Sequence, residues 1–181
     1  STYQIDKIGE EIIRSYGCIP TCLGYEGYPA SLCISVNDEV VHGIPRKDRF
    51  VENGDIVSLD FCLSYKGYQS DCARTLAIGE ISDDAKQLIE VTKQCFFEGI
   101  KYAKEGCHLY QISAAINDYA DKFGYGVVRD LVGHGIGREM HEDPQIPNFR
   151  QRRRGMKLQA GMTLCIEPMI NMGRADVAFM D

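Results

Sequence analysis

Two aspartates on a predicted β-hairpin are the residues of this chain whose types and spacing most directly suggest chemistry. Residues 55–63 alternate between apolar and polar side chains, as a half-buried strand does, and Asp60 falls on the polar side. Lys66-Gly67 is a turn signal, and residues 68–78 have the pattern of the returning strand. This hairpin brings Asp71 roughly opposite Asp60. Because two neighbouring carboxylates repel each other unless a cation binds them, the pair indicates a divalent metal site; the alternative is two solvated aspartates at a sheet edge.

A histidine and a glutamate farther along the chain could complete such a site. His134 lies among the glycines of residues 133–137, which leave space around the imidazole. Glu167 ends an apolar run, where a carboxylate is costly to bury unless it is paired or binds a metal. Two aspartates, one histidine and one glutamate form a mixed nitrogen and oxygen donor set that suits Mn, Fe(II), Co or Zn. The donor types do not choose among these four metals.

The elements that position these residues follow from apolar spacing. The pattern predicts three helices, over residues 5–16, 82–105 (with Ser82 as N-cap) and 109–123, each followed by a glycine. The apolar stripe of the first helix consists of Ile5, Ile8, Ile12 and Tyr16. Further strands are predicted at residues 31–36, 126–130 and 162–169. Helices and strands mix without a regular βαβ rhythm, so the predicted fold class is α+β. No linker or change in composition divides the chain, which predicts a single domain over residues 1–181.

Composition limits the classes of function. The 181 residues are 44% hydrophobic and 25% charged with a net charge of −6, which is typical of a globular domain and argues against disorder, coiled coil and nucleic-acid binding. No apolar run approaches the roughly 20 residues that span a bilayer, and no signal peptide opens the chain. The 8 cysteines include no CxxC pair and most lie in apolar segments, which predicts a reduced, cytoplasmic protein.

Motifs along practically the whole chain resemble, in order, those of the methionine aminopeptidases. They are residues 22–29 (CLGYEGYP), 33–37 (CISVN), 42–45 (HGIP), 54–57 (GDIV), 133–137 (GHGIG), 141–144 (HEDP), 147–149 (PNF) and 161–169 (GMTLCIEPM), with the spacing from Asp60 to Asp71. The short stretch between His134 and Glu167 leaves no room for the insert of the type II enzymes, so the chain resembles a bacterial type I enzyme. The resemblance implies the pita-bread α+β fold, with two similar halves around a dinuclear metal centre.

The resemblance also implies roles for individual residues. Two divalent metal ions are implied, with Asp60 a terminal ligand of one ion, Asp71 bridging both, and His134 and Glu167 holding the other. The implied reaction is hydrolytic removal of the N-terminal methionine from nascent polypeptides by a metal-activated water. Implied catalytic residues are His42 and His141, which would hydrogen-bond near the scissile amide and stabilise the intermediate. The implied substrate-binding residues are Cys22, Tyr25, Tyr28, Cys33, His42, Met140 and His141.

One part of the family pattern is missing. The family has a fifth ligand, a bridging glutamate, on a strand that would follow Asp181, and a helix that would precede residue 1. The chain is therefore predicted to be truncated at both ends, with one of the two ions bound weakly or not at all.

Other functions compete with this assignment. Xaa-Pro peptidases share the fold and the ligand types, and a non-catalytic binding protein could use the same fold. An Fe(II) oxygenase would need two histidines and one carboxylate, whereas carboxylates predominate here.

A basic segment from Arg150 to Lys157 stands out on this acidic chain. Its cationic residues are Arg150, Arg152, Arg153, Arg154 and Lys157. The simpler interpretation is a solvated loop. The alternative is contact with ribosomal RNA, because nascent chains are the family's substrates.

Overall fold

A computed structural model describes residues 1–180, which form two compact units. The first comprises Ser1–Ala85 with Ile136–Met140, and the second comprises Lys86–Gly135 with the segment from His141 onward. The single catalytic domain expected over residues 1–181 stays a prediction.

The first unit contains one helix and a four-stranded antiparallel sheet. Its elements are α1 (Thr2–Ser15), β1 (Ile19–Pro20), β2 (Cys33–Val36), β3 (Ile56–Tyr65) and β4 (Tyr68–Ala77), with a 3₁₀ turn at Tyr25–Gly27. β3 is the central strand, because β4 pairs along its whole length on one edge while β1 and β2 share the other. The predicted alternation is confirmed: Val57, Leu59, Phe61 and Leu63 face one hydrophobic core, whereas Cys62 packs in a different cluster.

Helix α1 forms where predicted but buries a different face. The apolar stripe predicted from sequence includes Ile8 and Ile12, which are more than half exposed, at 58% and 53%. The buried face carries Asp6, whose Oδ1 accepts hydrogen bonds from the backbone amides of Ser31 and Leu32, just before β2, at 2.8 and 3.0 Å. Gly9 on the same face allows close approach, since a Cβ there would lie 2.7 Å from the side chain of Leu32. A hydrogen-bonded carboxylate and a close backbone contact therefore decide the orientation of this helix.

The second unit contains two helices and two small antiparallel sheets. Its elements are α2 (Asp83–Ile100), α3 (Leu109–Asp121), β5 (Gly126–Val127), β6 (Gly133–Gly135), β7 (Glu142–Ile146), β8 (Leu164–Cys165) and β9 (Ile170–Asn171). The first residues of α2 belong to the first unit, because the second unit begins at Lys86. β5 pairs with β9, and β6 lies between β7 and β8. The helices pack on a core that includes Cys95, Ile112, Ile116 and Ile146, all fully buried.

Several element boundaries differ from the prediction. Ser82 caps α2 as predicted, because its Oγ accepts from the Ala85 amide at 3.1 Å. The helix ends at Ile100 rather than at 105, since the chain then turns and the Gly106 amide donates to the Leu158 carbonyl. Within the strand predicted over 162–169 only β8 forms, because β6 offers it only two paired positions, and β9 begins beyond that range at Ile170. The strand predicted over 126–130 is limited to β5.

Among residues 1–180, no helix is both long enough and apolar enough to cross a bilayer.

Candidate metal centre

The β3–β4 hairpin brings its two aspartates onto one face, but not directly opposite each other. Lys66 and Gly67 form the two-residue turn, and both have the positive φ that such turns favour, 52° and 80°. Asp71 therefore pairs with Cys62, and Asp60 pairs with Ala73. The predicted register was wrong by two positions, because the turn is centred between Lys66 and Gly67 rather than one residue earlier, and each such step moves the partner by two residues. The two carboxylates are diagonal neighbours on the same face.

Cys62 joins the two aspartates in a compact donor cluster. The carboxylate oxygens of Asp60 and Asp71 and the Sγ of Cys62 all lie within 4.8 Å of one another. Cys62 is buried and both aspartates are partly buried. Carboxylates held this close in partly buried positions fit a divalent cation, which would offset their mutual repulsion. Cys62 was missed at the sequence level, although its position two residues after Asp60 places it on the same face of the strand.

The glycines that flank His134 have a backbone role. A Cβ on Gly133 would lie 2.2 Å from the carbonyl oxygen of Cys165, and one on Gly135 would lie 2.3 Å from that of Asp143. These glycines therefore let the neighbouring strands approach β6 from both sides. The interpretation that they clear space for the imidazole is replaced by this one.

His134 and Glu167 form a second donor cluster, with the imidazole held in a defined tautomer. The His134 Nδ1 lies 2.8 Å from the carbonyl oxygen of Gly135, and because a carbonyl only accepts, Nδ1 carries a proton. The Nε2 lies 3.2 Å from Oε1 of Glu167. The Sγ of Cys165, which is directly opposite His134, also lies within 4.8 Å of these two donor atoms.

This second cluster fits a divalent cation on chemical grounds. With its proton on Nδ1, a neutral imidazole presents the Nε2 lone pair to a carboxylate, and two electron-rich atoms at that distance repel each other. A cation between them, either a proton or a metal ion, removes the repulsion. Metal bonds of about 2.0–2.2 Å to nitrogen and oxygen allow one ion to bind both atoms at their separation.

A buried asparagine holds the chain at Glu167. Asn148 is fully buried and its Nδ2 donates to the Glu167 carbonyl oxygen at 2.7 Å. This bond fixes the backbone that carries the carboxylate, so Asn148 is a positioning residue. Its motif was recognised in the sequence, but no pattern assigned it this role.

His141 lies beside His134 in an open cleft. The two ring centroids are 4.3 Å apart with an interplanar angle of 61°. The cleft has a volume of about 470 Å³, and its lining is Val132, Gly133, His134, His141, Glu142, Asp143 and Gln145. His141 is exposed and can therefore meet a ligand in the cleft.

The third implied site histidine, His42, is on an exposed loop after β2. Its φ of 60° is in the left-handed region, which is uncommon for a histidine. The next residue, Gly43, is hydrogen-bonded to β2 by its carbonyl, which accepts from the Ile34 amide at 2.8 Å. The strained backbone of His42 is thus anchored by its neighbour.

Most residues of the implied methionine pocket come together in the first unit. Cys22, Met140 and Cys62 form a buried cluster against which Tyr28 packs. The thiol of Cys33 joins it through hydrogen bonding with that of Cys22. Tyr25 instead lies in the 3₁₀ turn and is 38% exposed.

Hydrogen bonding and burial raise the pKa of the Tyr28 hydroxyl and of the Cys62 thiol. Burial and the neighbouring Cys33 raise the pKa of Tyr28, whose hydroxyl donates to the Gly43 carbonyl at 2.8 Å. The hydrogen bond with Cys22, burial and the charge of Asp71 all raise the pKa of Cys62.

Each unit carries a compact cluster of carboxylate with thiol or imidazole donors, and such donor sets are typical of metal-dependent hydrolases. The sequence model of metallopeptidase family M24 matches residues 1–179. The chain belongs to that family, and its fold is the pita-bread α+β fold predicted from the sequence.

Individual relatives agree with the predicted resemblance. The chain is 53% identical over 173 residues to the methionine aminopeptidase of Clostridium acetobutylicum, covering 96% of this chain and 69% of the relative. It is similar to the crystal structure of a methionine aminopeptidase from Thermotoga maritima, with a TM-score of 0.97, 40% identity, and coverage of 100% and 73%. An Xaa-Pro dipeptidase from Bacillus anthracis is less similar, with a TM-score of 0.75, 29% identity, and coverage of 93% and 45%. The resemblance to the methionine aminopeptidases is confirmed.

Proposed function

We propose that this chain hydrolyses the peptide bond after an N-terminal methionine of nascent polypeptides, in the cytoplasm, with bound divalent metal ions. The observation that carries the proposal is the His134–Glu167 pair, whose tautomer and 3.2 Å separation suit a cation. The names and high identities of the relatives support the methionine specificity.

The proposed ligands are Asp60, Asp71, His134 and Glu167, holding two ions drawn from Co, Mn, Fe(II) and Zn. When bound, such ions activate water for attack on the scissile carbonyl and stabilise the charge that develops there. The chain's own contribution is to fix the ligands, through the β3–β4 register for the aspartates and through the Gly135 carbonyl for His134. Rigid ligands bind ions without further ordering of the site.

His42 and His141 are proposed to hydrogen-bond the scissile amide and the developing oxyanion. Support for His141 is its exposed ring in the cleft beside His134. Support for His42 is its anchored, left-handed backbone, since such conformations concentrate at functional sites.

The proposed pocket for the methionine side chain consists of Cys22, Tyr25, Tyr28, Cys33 and Met140. Sulfur and aromatic groups suit a thioether, which gains from sulfur–aromatic contact. The Tyr28 hydroxyl is held by the Gly43 carbonyl, so its ring is oriented before substrate binds.

The decisive experiment measures free methionine released from a Met-Ala-Ser peptide by the 181-residue chain. It is run with Mn(II), Fe(II) or Co(II), against an EDTA control and an Ala-Pro-Ser peptide. Metal-dependent methionine release is expected, with the Ala-Pro-Ser peptide left intact. Cleavage of Ala-Pro-Ser instead would support an Xaa-Pro peptidase, and inactivity on both peptides with every metal would favour a non-catalytic binding protein.

Contact with the ribosome is proposed for the basic segment, Arg150–Lys157. This segment is held to helix α3 by backbone bonds, from the Leu109 amide to the Met156 carbonyl and from the Tyr110 amide to the Arg154 carbonyl, both 3.1 Å. A held loop presents its charges without the entropy loss that a mobile loop would suffer on binding. An open cleft of about 470 Å³ is lined by Asn117, Arg129, Phe149, Arg150, Gln151, Arg152 and Arg153.

Replacing Arg152, Arg153 and Arg154 together with glutamine is expected to weaken binding to ribosomes and to reduce its salt dependence. Each RNA phosphate that these side chains no longer neutralise should lower the slope of log K against log salt by about 0.7 to 0.9. The measurement is ribosome co-sedimentation over a range of salt, with replacement of the same residues by lysine as the matched control. Binding that is the same in all three proteins would leave the segment as a solvated loop.

A further inference from the structure

Cys62 is a third donor on the face that carries Asp60 and Asp71. The register places Cys62 directly opposite Asp71, and strand alternation places it on the same side of β3 as Asp60. The Sγ and the two carboxylate oxygens lie within 4.8 Å of one another. No role for this cysteine follows from the motifs of the sequence.

The Cys62 side chain is held in place by its surroundings. Its exposure is only 5%, and its Sγ hydrogen-bonds with the Cys22 thiol and the Asp71 carboxylate. The backbone amide of Cys62 also donates to the Sγ of Cys22 at 3.3 Å. These contacts direct the sulfur toward the carboxylate pair and leave it little freedom to turn away.

We propose that Cys62 is a thiolate ligand of the divalent ion that Asp60 and Asp71 hold. The inference rests on the proposed function, because it takes the aspartates as metal ligands. On binding, the thiol proton passes to solvent, a sulfur–metal bond forms, and no group is oxidised or reduced. Cys62 thereby adds a soft donor to an otherwise oxygen-only pair.

A soft donor changes which ions the pair prefers. Carboxylates alone suit Mn and Mg, whereas thiolate selects ions such as Zn, Co and Cd. The chain should therefore hold Co(II) and Cd(II) more tightly, relative to Mn(II), than its Cys62→Ser variant does. We expect that ratio of affinities to fall at least about tenfold, since even an outer-shell partner contributes 10–100-fold to metal affinity.

The experiment titrates the chain with Co(II), without added thiols, and records the near-ultraviolet absorption of the thiolate-to-cobalt charge transfer. The wild-type chain should show the band and Cys62→Ser should lose it. Cys72→Ser is the matched control, because Cys72 is exposed on the same hairpin and pairs with Phe61 on the other face. It should keep the band. Cys22→Ser and Cys165→Ser test two other thiols beside the donor clusters, and both should also keep it.

The outcomes separate this inference from the proposed function. A band that persists in Cys62→Ser, or that disappears only in Cys22→Ser or Cys165→Ser, overturns the inference. Absence of any band from a chain that binds Co(II) and releases methionine also overturns it, and leaves Cys62 as a hydrogen-bond donor to Asp71. A Cys62-dependent band in a chain that releases no methionine supports the inference and counts against the proposed function instead. Circular dichroism of each variant confirms that loss of the band is not loss of fold.

Discussion

Replacing Asp71 with alanine is expected to abolish methionine release, with a loss of about a thousandfold or more. That loss corresponds to about 4 kcal/mol of transition-state stabilisation. Asp71 is placed opposite Cys62 and diagonal to Asp60, so its removal leaves the hairpin cluster with one carboxylate. The family resemblance implies a bridging role for Asp71, so the effect of its loss should exceed that of a terminal ligand. The measurements are the rate of methionine release and the metal content of the purified protein.

The matched control for this variant is Asp121→Ala. Asp121 is an exposed aspartate at the end of α3, where the negative charge opposes the helix dipole. Its replacement should leave both activity and metal content unchanged. Normal turnover with normal metal content in Asp71→Ala would remove the basis for the proposed metal centre.

Replacing His134 with alanine is expected to lower methionine release by at least about a hundredfold. Loss of a residue that only orients a metal ligand lowers activity by up to about a hundredfold, and His134 is proposed to bind the metal itself. The imidazole is buried, with a fixed tautomer that directs the Nε2 lone pair toward Glu167. Without the ring, Glu167 loses the donor with which it would share an ion. Metal affinity, measured by calorimetric titration with Mn(II) or Co(II), should fall together with the rate.

His108 offers a control that separates metal binding from simple packing. Its Nδ1 also contacts a backbone carbonyl, that of Gly155 at 3.2 Å, and the residue caps the N-terminus of α3. His108→Ala should lower the melting temperature but should not alter metal affinity. If His134→Ala changed only the melting temperature, in the manner of His108→Ala, a metal-binding role for His134 would be wrong.

The sequence contained enough information for the strand that carries Asp60. Strict alternation in residues 55–63 predicts which side chains face the core, and Val57, Leu59, Phe61 and Leu63 do so. The register could not be obtained in the same way, because it depends on which residues form the turn. With the turn at Lys66 and Gly67, Asp71 lies two positions from the residue opposite Asp60, and this register brings Cys62 into the donor cluster.

Helix α1 shows the limit of apolar periodicity. Ile8 and Ile12 follow helical spacing, yet the buried side carries Asp6 and Gly9. Periodicity counts hydrophobic side chains and does not detect backbone amides that donate to a buried carboxylate, or a close approach at glycine. Both features need the neighbouring strand to be in place, so neither can be read from the helix alone.

The candidate site, like the fold, was predicted from the sequence only in part. His134 was predicted from its position among glycines and Glu167 from its apolar surroundings, and the geometry brings the two side chains to 3.2 Å from each other. The hydrogen bond from Asn148 to the Glu167 carbonyl joins residues far apart in sequence, which is why no local pattern predicted it. Motif recognition identified the segment that contains Asn148, but only the fold shows what the side chain does there.

The two-residue turn at Lys66-Gly67 has a consequence for how this hairpin can change over evolutionary time. Side chains alternate along β4, so one residue inserted between the turn and Asp71 would rotate that carboxylate onto the core side and put Ser70 opposite Cys62. A deletion at the same place would put Cys72 there. Either event would remove the ligand pair without altering an aspartate codon. The hairpin can therefore accept substitutions but not single-residue changes in length, and its length is as much a determinant of chemistry as the aspartates themselves.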